Sequence, residues 1–346
     1  MKLLFSKLPR AQSLTGTVLC LCLFLWNGAA LGADGRYAYE KAEMGLPVRV
    51  TLYAPDEGAA RAAADRAFAR VEALNAVFSD YDSDSELSRL SDTAGSGRAA
   101  AVGPELWHVL EFAQRVAALS KGGFDISVGP VVNLWRVARR KHELPKPERL
   151  LEARARVGYQ GIELDPAART ALLRKPRMRL DAGGIAKGYA MEEALQVLRA
   201  LGLPRAMVAG GGDMALGEAP PGESGWRIEV SSLDAGGAPA PRFLRLANCS
   251  VATSGDLYQR LEIEGKRYSH IVDPRTGIGL TDHSLVTVVA ARGIEADALS
   301  KVVAVLGPVE GLPLLESFPG VAAYVVRAPE DRVEEHFSAR WKTLEP

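Results

Sequence analysis

The stretch RLDAGGIAKGYAMEEAL, residues 179–195, connects a predicted β-hairpin to a predicted helix that runs to about Leu201. Two adjacent glycines, Gly183 and Gly184, stand where the helix begins, and they allow a ligand or another backbone segment to approach closely. A helix N-terminus favours phosphate or carboxylate, and Lys187 adds a positive charge. The spacing differs from a Walker motif, because no serine or threonine follows the lysine. Taken alone, the stretch is compatible with a helix cap, a phosphate site or a metal site.

The elements predicted on both sides of this stretch determine the fold class. Before it, the pattern predicts a strand over 48–52, helices over 56–78, from Glu86, over 103–123 and over 148–157, and a hairpin near 161–181. After it, the pattern predicts strands near 205–217, 226–233, 242–255, 262–274, 284–292, 321–327 and 336–341, and helices over 295–307 and 309–317. Because the strands cluster and do not alternate regularly with helices, we predict an α+β fold rather than a doubly wound α/β fold.

Composition and charge exclude some classes of partner. The chain has 346 residues, of which 47% are hydrophobic and 24% are charged, so it can form one large domain or two closely joined ones. Its 42 basic and 42 acidic residues give a formal net charge of zero. This balance excludes a nucleic acid as the main partner, because nucleic-acid binding requires a basic surface.

The N-terminus has the layout of a secretory signal peptide. Three basic residues precede an apolar run from Val18 to Trp26 and then small residues, which predicts cleavage near residue 33. We therefore predict a signal peptide over 1–33 and a single mature domain over 34–346. An uncleaved membrane anchor is the alternative, although the apolar run is short for one. A lipoprotein is less favoured, because leucine precedes both cysteines of the run.

The mature chain would depend on its core for stability. Without residues 1–33 it keeps 39 basic and 42 acidic residues and one cysteine, Cys249, so it cannot form an intrachain disulfide. A chain of this length can be stable through its core alone. We predict that Cys249 is a small core residue rather than a nucleophile.

Four polar, glycine-rich places interrupt the apolar pattern, and residues 179–195 are the first. The second is AGGGDMALG at 209–217, where a tight turn alone explains the glycines. The third joins ATSGD to GKRYSHIVDPRTG, whose hydroxyls can bind phosphate oxygens and whose His270 can act as a general base. The fourth is EADALSKVV. Here Asp297 can interact favourably with the dipole at a helix N-terminus, or it can coordinate Mg²⁺. Residues without such a context are predicted to be structural or surface residues: His108, His142, His283, His336 and the basic cluster 139–141.

Together and in this order, these places resemble the ApbE family of flavin transferases. The matching pieces cover nearly all of the mature chain: MG (44–45), SDYDSDSELSRL (79–90), GGFDISVGPVVNLW (122–135), LDAGGIAKGYA (180–190), GGGDMALG (210–217), ATSGD (252–256), HIVDPRTG (270–277) and DALSKVVAVLG (297–307). No single piece is decisive, but eight in sequence are highly specific. The resemblance implies a T-fold-related α+β architecture of mixed antiparallel sheets packed with helices. It places the active site in a cleft between two closely joined subdomains.

The resemblance also implies a reaction and a set of site residues. Members of the family are FAD:protein FMN transferases, which use Mg²⁺ to split the FAD pyrophosphate, release AMP and join the FMN phosphate to a threonine or serine of a target flavoprotein. The implied FAD-binding residues, with two hydroxyl residues added from the third place, are Met44, Tyr81, Gly123, Phe124, Asp125, Asp181, Lys187, Thr253, Ser254 and Val272. The implied Mg²⁺ ligands are the Gly184 carbonyl, Asp297 and Ser300. His270 and Asp297 carry the implied catalytic roles.

One residue departs from the family pattern. The family commonly has threonine four residues after the metal-binding aspartate, whereas this chain has Lys301. Positions 297 and 301 lie on the same face of a helix, so Lys301 could pair with Asp297 where the metal would lie. Three outcomes are open: Lys301 turns towards solvent, it replaces part of the metal's charge, or the protein binds FAD and is a poor transferase.

The resemblance leaves two other functions open and implies the partners. The alternatives are an FAD pyrophosphatase, which hydrolyses FAD to FMN and AMP, and a non-catalytic FAD-binding protein. The implied partners are FAD and an acceptor threonine or serine on a subunit of a membrane redox complex or on a respiratory regulator. Together with the signal peptide, this predicts an exported, periplasmic bacterial protein, which can also associate peripherally with the inner membrane.

Overall fold

The computed structural model describes residues 34–256, 260–329 and 332–344, so the predicted signal peptide lies outside the described residues. The strands are β1 Gly35–Glu43, β2 Leu46–Ala54, β3 Ala100–Ala101, β4 Ile162–Asp165, β5 Thr170–Leu173, β6 Ala206–Gly210, β7 Asp213–Leu216, β8 Trp226–Val230, β9 Arg242–Leu246, β10 Cys249–Gly255, β11 Arg260–Ile263, β12 Lys266–Ser269, β13 Ser284–Ala290, β14 Ala322–Arg327 and β15 Glu334–Phe337. The helices are α1 Glu57–Phe78, α2 Glu86–Asp92, α3 Pro104–Leu119, α4 Gly129–Lys141, α5 Pro147–Arg154, α6 Ala186–Ala200 and α7 Gly293–Leu315.

An eight-stranded antiparallel sheet forms the centre of the fold, in the order β1-β2-β6-β7-β10-β13-β14-β15. Its register pairs Val50 of β2 with Val208 of β6, although the two strands are far apart in sequence. Every residue of β13 is buried, so this strand is covered on both faces. That burial explains its continuous apolar sequence, SLVTVVA, which lacks the alternation of a strand with one solvent face.

Helices α1, α6 and α7 cover one face of the sheet. In α1, the carboxylate of Asp56 caps the helix by accepting a hydrogen bond of 2.8 Å from the N–H of Ala59. Helical spacing then buries Ala60, Ala64 and Val71 against the sheet and the neighbouring helices. Helix α7 is long and apolar enough to cross a membrane, but it packs against β10, β13 and α6, so we assign it as a core helix.

Two glycines allow the backbones of α6 and α7 to touch. A Cβ added at Gly188 would lie 2.2 Å from the carbonyl oxygen of Gly293, and one added at Gly293 would lie 2.0 Å from the carbonyl oxygen of Gly188. Only glycine fits such an approach. The contact brings the first turns of both helices together, which places Lys187 beside Asp297.

Two further layers complete the fold. The β8–β9 hairpin and the C-terminal 3-10 turn at Ala339–Thr343 cover the other face of the sheet, where Trp226 and Trp341 are buried. Helices α4 and α5 form a third apolar cluster with the β11–β12 hairpin, centred on Trp135. Its indole N–H donates a 2.8 Å hydrogen bond to the carbonyl of Gly277, which ties the loop after β12 to α4.

The predicted α+β class and antiparallel sheets are confirmed, and several segments differ from the prediction, of which three are instructive. Residues 129–141, to which the sequence analysis assigned no element, form α4, because Val131, Trp135 and Ala138 have helical spacing and are buried. Helix α3 ends at Leu119, before the glycines, because Lys121 and Gly122 have positive φ angles. The last strand spans only Glu334–Phe337, since the chain then turns at Ser338 and buries Trp341.

Candidate active site

Several predicted site segments meet at one end of the main sheet, where α6 and α7 begin. The β1–β2 turn, in which Met44 has a positive φ of 51°, lies beside the β6–β7 turn, because Leu46 packs against Gly210 and Gly211. The β6–β7 turn in turn contacts β10, where the N–H of Thr253 donates a 3.0 Å hydrogen bond to the carbonyl of Gly212.

Four charged residues, here called the charge cluster, lie at this end of the sheet: the buried Asp213 and Asp297 and the half-buried Lys187 and Lys301. The Lys187 ammonium lies 3.2 Å from Oδ2 of Asp213 and 3.5 Å from Oδ2 of Asp297. It also donates a 3.0 Å hydrogen bond to the carbonyl of Gly183. An ammonium has three donors, so Lys187 uses its full capacity inside the protein.

Lys301 forms the second positive side of the charge cluster. Its ammonium donates a short hydrogen bond to Oδ1 of Asp297 and lies 3.4 Å from Oγ of Ser300. The other carboxylate oxygen of Asp297 accepts a 2.9 Å hydrogen bond from the N–H of Gly188. Both oxygens of Asp297, whose side chain is fully buried, are therefore hydrogen-bonded within the protein.

Burial and pairing shift the pKa values of the charge cluster in opposite directions. Burial and then repulsion from Asp297 raise the pKa of Asp213 to about 6. Burial also opposes the ionisation of Asp297, but Lys187 and Lys301 outweigh it and hold the pKa of Asp297 below its ordinary value. Burial would lower the pKa of Lys187, yet Asp213 and Asp297 raise it. The two carboxylates thus differ in how readily they take up a proton.

Two serines and a glycine surround Lys301. The hydroxyl of Ser300 donates a 2.7 Å hydrogen bond to the carbonyl of Asp297, and it lies 2.7 Å from the hydroxyl of Ser254. Gly184 lies beside Lys301, since a Cβ added there would be 3.5 Å from Cγ of Lys301 and 3.4 Å from the ring of Phe124. Next to Ser254, the Thr253 hydroxyl instead lies 3.0 Å from that of Thr287.

A second group, here called the rim cluster, consists of Asp80, Tyr81, Arg136 and Asp181. The Arg136 guanidinium joins its two carboxylates, with a short contact to Asp80 and a 3.0 Å contact to Oδ2 of Asp181. It also lies 4.3 Å from the ring centroid of Tyr81, whose side chain is 79% exposed. Burial and then the neighbouring Asp80 carboxylate raise the pKa of Asp181.

The segment 123–125 lies beside the charge cluster, since the ring of Phe124 packs near Gly184. Asp125 is buried and accepts hydrogen bonds from the N–H and hydroxyl of Ser127 at 2.8 and 2.7 Å, and from the N–H of Tyr159 at 2.7 Å. These bonds hold the loop in place, and burial raises the pKa of Asp125. A Cβ at Gly123 would lie 2.8 Å from Leu306, so this glycine allows the segment to pack on α7.

The loop that carries His270 follows β12 and leads back towards segment 123–125. His270 is half-buried, Val272 belongs to the third apolar cluster, and Asp273 forms a bidentate pair with Arg275 at 2.9 and 3.0 Å. Cγ of Arg275 lies 3.9 Å from the position of a Cβ on Gly122. The catalytic role of His270 stays a prediction.

Two cavities open beside α4 and α5. One, of about 430 Å³, lies beside Asp125, Arg154 and Arg275. The other, of about 540 Å³, is lined by members of the rim cluster and by Arg139 and Arg140. The basic cluster 139–141 therefore borders a cavity from the last turn of α4.

The sequence analysis missed two residues and misjudged a third. Arg136 was not singled out, because its partners come from distant segments, although the apolar spacing of α4 could have marked this helix. Asp213 was attributed to a tight turn, yet it is buried and paired with Lys187. His283, expected to lack a polar context, lies 2.7 Å from Asp256 and 2.8 Å from Asp234. Cys249 is half-buried at the edge of the second apolar cluster, and burial raises the pKa of its thiol to about 11.

The donor set at Asp297 does not fit Mg²⁺ as it is arranged. The Lys301 ammonium holds one oxygen of the only carboxylate among the three predicted ligands, and the Ser300 hydroxyl is engaged by its own helix. Among the residues described, no group of three or more His, Cys, Asp or Glu side chains is placed to hold a metal ion. A Mg²⁺ site prefers carboxylates together with waters and phosphates.

Comparisons with known proteins agree on one family. The model of the ApbE family matches residues 44–325. Proteins named FAD:protein FMN transferase are similar over most of the chain: one from Haemophilus influenzae is 32% identical over 300 residues, covering 84% of this chain and 86% of the relative, and one from Treponema pallidum is 32% identical over 330 residues, covering 90% and 91%. The solved flavin transferase ApbE from Vibrio cholerae superposes with a TM-score of 0.79 at 27% identity, covering 90% of this chain and 99% of that structure.

Proposed function

The chain belongs to the ApbE family, and on that basis we propose that it is an exported FAD:protein FMN transferase. The match over residues 44–325 carries the proposal. It is supported by the geometry, because predicted FAD-binding residues from distant segments lie around the start of α6: Phe124 contacts Gly184, and Asp181 and Lys187 flank it in the chain.

The proposed reaction transfers an FMN phosphoryl group between oxygens. The hydroxyl oxygen of an acceptor threonine or serine forms a bond to the phosphorus of the FMN half. The bond from that phosphorus to the bridging oxygen breaks, and AMP leaves with this oxygen and the electron pair. The acceptor proton passes to a base, for which we propose His270. Catalysis of this kind depends on positioning and on neutralising phosphate charge.

We assign the recognition of FAD to the two clusters and the segments between them. In the proposal, Tyr81 offers an aromatic face to a planar ring of FAD, and Arg136 holds Asp181 in place. Met44, Gly123 and Val272 shape the walls, while Thr253 and Ser254 contribute hydroxyls near the phosphates. Mg²⁺ dependence stays a prediction of the family resemblance, and the donor set at Asp297 does not fit the ion.

The acceptor and the location are also proposals. The predicted signal peptide supports export to the periplasm, where the acceptor would be a subunit of a membrane redox complex or a respiratory regulator. Peripheral association with the inner membrane would bring the protein close to such a subunit. Both statements depend on residues 1–33, which lie outside the described residues.

The test combines the purified protein with FAD, Mg²⁺ and an acceptor subunit, and it measures AMP release and flavin that stays covalently attached on a denaturing gel. A transferase yields both products in equal amounts, and an acceptor whose threonine is replaced by alanine yields no covalent flavin. AMP without covalent flavin indicates the pyrophosphatase, and FAD binding without AMP indicates the non-catalytic binder.

The role of His270 is tested in the same assay. His270→Asn should slow both products by about 100-fold, which is within the range of a general base. The matched control is His142→Asn, since His142 is exposed at the end of α4 in a left-handed conformation that asparagine tolerates. Equal rates for the two variants would contradict the assignment of His270.

A further inference from the structure

We propose that Lys301 replaces a divalent cation in this protein, so that its ammonium, held on Asp297, is the positive charge that faces the FAD pyrophosphate. The inference rests on the proposed transferase function and deepens it. Because Lys301 supplies the positive charge, FAD binding and AMP release are independent of divalent metal ions.

The position of Lys301 is the first support. This one side chain touches all three residues that the sequence predicts as metal ligands. Its ammonium bonds to Asp297 and approaches Ser300 at 3.4 Å. Its aliphatic stem passes Gly184, with Cγ and Cδ at 3.5 and 3.9 Å from the position of an added Cβ. The space that a shared metal ion would need is therefore occupied by Lys301.

Charge balance is the second support. The charge cluster holds two carboxylates, Asp213 and Asp297, and two ammonium groups, Lys187 and Lys301, so its formal charge is zero. In the absence of the anionic pyrophosphate of FAD, a divalent ion added beside Lys301 would leave two uncompensated positive charges in a mostly buried site, which is strongly unfavourable. To bind the oxygen of Asp297 that the ammonium holds, the ion would have to displace Lys301.

The hydrogen bonds around Ser300 are the third support. Its hydroxyl has a single proton, which it donates to the carbonyl of Asp297 at 2.7 Å. Its oxygen lies 2.7 Å from the hydroxyl of Ser254, which can donate to it. This network binds Ser300 to its own helix and to β10.

An ammonium can serve the proposed reaction in a limited way. Lys301 can donate charge-assisted hydrogen bonds to non-bridging phosphate oxygens while it keeps its contact with Asp297. Its side chain is 15% exposed, so it is not completely enclosed by the protein. It carries one positive charge where a divalent ion carries two, so it stabilises the charge on the departing AMP less strongly.

The experiment compares metal dependence in the full chain and in three variants. Lys301→Thr removes the ammonium, Lys301→Arg keeps a positive charge, and Lys146→Thr removes an exposed lysine elsewhere as the matched control. Each protein is combined with FAD and the acceptor subunit and is assayed for AMP release and covalent flavin in EDTA and in Mg²⁺. FAD binding is measured in both conditions by flavin fluorescence. The electron paramagnetic resonance signal of free Mn²⁺ then reports metal binding independently of activity.

The proposal expects the unmodified protein and Lys146→Thr to release AMP equally fast in EDTA and Mg²⁺, and to bind no additional Mn²⁺ when FAD is added. In EDTA, the rate of AMP release by Lys301→Thr should be about 100-fold lower than that of the unmodified protein, which is in the range for removing one stabilising charge contact. It should regain activity with Mg²⁺ and bind Mn²⁺ with FAD. Lys301→Arg should retain metal-independent FAD binding.

Two results would overturn the inference. One is loss of AMP release by the unmodified protein in EDTA with recovery in Mg²⁺, and the other is FAD-dependent Mn²⁺ binding by the unmodified protein. Neither result requires a variant, so both test the inference even where Lys301→Thr does not fold. Absence of AMP and covalent flavin under every condition, with FAD still bound, would instead contradict the proposed transferase function.

Discussion

The charge cluster and the rim cluster use similar residue types, but they differ in how far they open to solvent. In the charge cluster, the side chains of Asp213 and Asp297 are at most 2% exposed and pair with lysines. In the rim cluster, one arginine joins two carboxylates beneath Tyr81, which is 79% exposed. The first cluster is enclosed by α6, α7 and the sheet, whereas the second borders a cavity.

This difference separates residues that contribute to folding stability from residues that contribute mainly to ligand affinity. Buried charges are costly unless they are paired, so a change in the charge cluster should affect folding as well as chemistry. The rim cluster borders a cavity, so changes there should affect ligand affinity. Its exposed member, Tyr81, should contribute little to folding, and the following predictions test this division.

The largest effect is expected from Asp297→Asn. The variant leaves the Lys301 ammonium without its buried carboxylate, so the free energy of unfolding should fall by about 3–5 kcal/mol. Denaturant unfolding followed by circular dichroism measures this loss. The control, Asp92→Asn, removes a 64% exposed carboxylate that lies 3.4 Å from Arg179, and it should cost no more than about 1 kcal/mol. Equal losses would contradict the assigned role of burial.

The next effect is a pH dependence introduced by Asp213. Its pKa is raised to about 6 from the ordinary 3.8. Its contribution to stability is therefore complete at pH values below the pKa of the unfolded state, and it is lost as the pH rises through the pKa of the folded state. Asp213→Asn removes this dependence. Relative to the unmodified protein, the variant should gain up to about 3 kcal/mol between pH 4 and pH 7.5, at about 1.4 kcal/mol for each pKa unit.

Urea unfolding at several pH values provides the measurement for Asp213. Asp65, an exposed carboxylate on α1, offers the matched control, since Asp65→Asn should not reproduce the gain. A stability difference for Asp213→Asn that is constant from pH 4 to pH 7.5 would contradict the raised pKa.

A smaller effect, on ligand affinity, is expected from Arg136→Gln. The change removes the cation that positions Asp181 and lies against Tyr81, so the Kd for FAD should rise by about 10-fold, which corresponds to the loss of one charge-assisted hydrogen bond. Arg136→Lys should recover only part of the affinity, because lysine lacks the planar fork that holds two carboxylates. Arg149→Gln, on exposed α5, is the control, and an equal effect there would refute the assignment.

The two clusters also differ in how far the sequence predicts them. The pair of Asp297 and Lys301 follows from spacing on one helix, and the structure forms that contact. Asp213 and Arg136 could not be predicted in this way, since their partners come from other segments. Asp213 meets Lys187 through the crossing of α6 with the β6–β7 turn, and Arg136 meets Asp80 and Asp181 because α4 packs between them.

The same limit applies to the fold. The periodicity of α1 and the apolar run of β13 predict those elements, because local burial repeats along the chain. Strand order was not predicted, since the pairing of β2 with β6 joins segments separated by several helices. Helix α4 was missed because basic residues in its last turn masked the apolar spacing of Val131, Trp135 and Ala138.

The smallest effect on folding is expected from Tyr81→Ala, and it separates affinity from stability most clearly. Because the side chain is largely exposed, the free energy of unfolding should change by no more than about 0.5 kcal/mol. Loss of the aromatic face should weaken FAD binding by about 3- to 10-fold, as expected for one aromatic pair. Tyr81→Phe keeps the ring and should bind FAD normally. Flavin fluorescence titration and denaturant unfolding of the two variants test both statements, and unchanged FAD affinity in Tyr81→Ala would remove Tyr81 from the binding site.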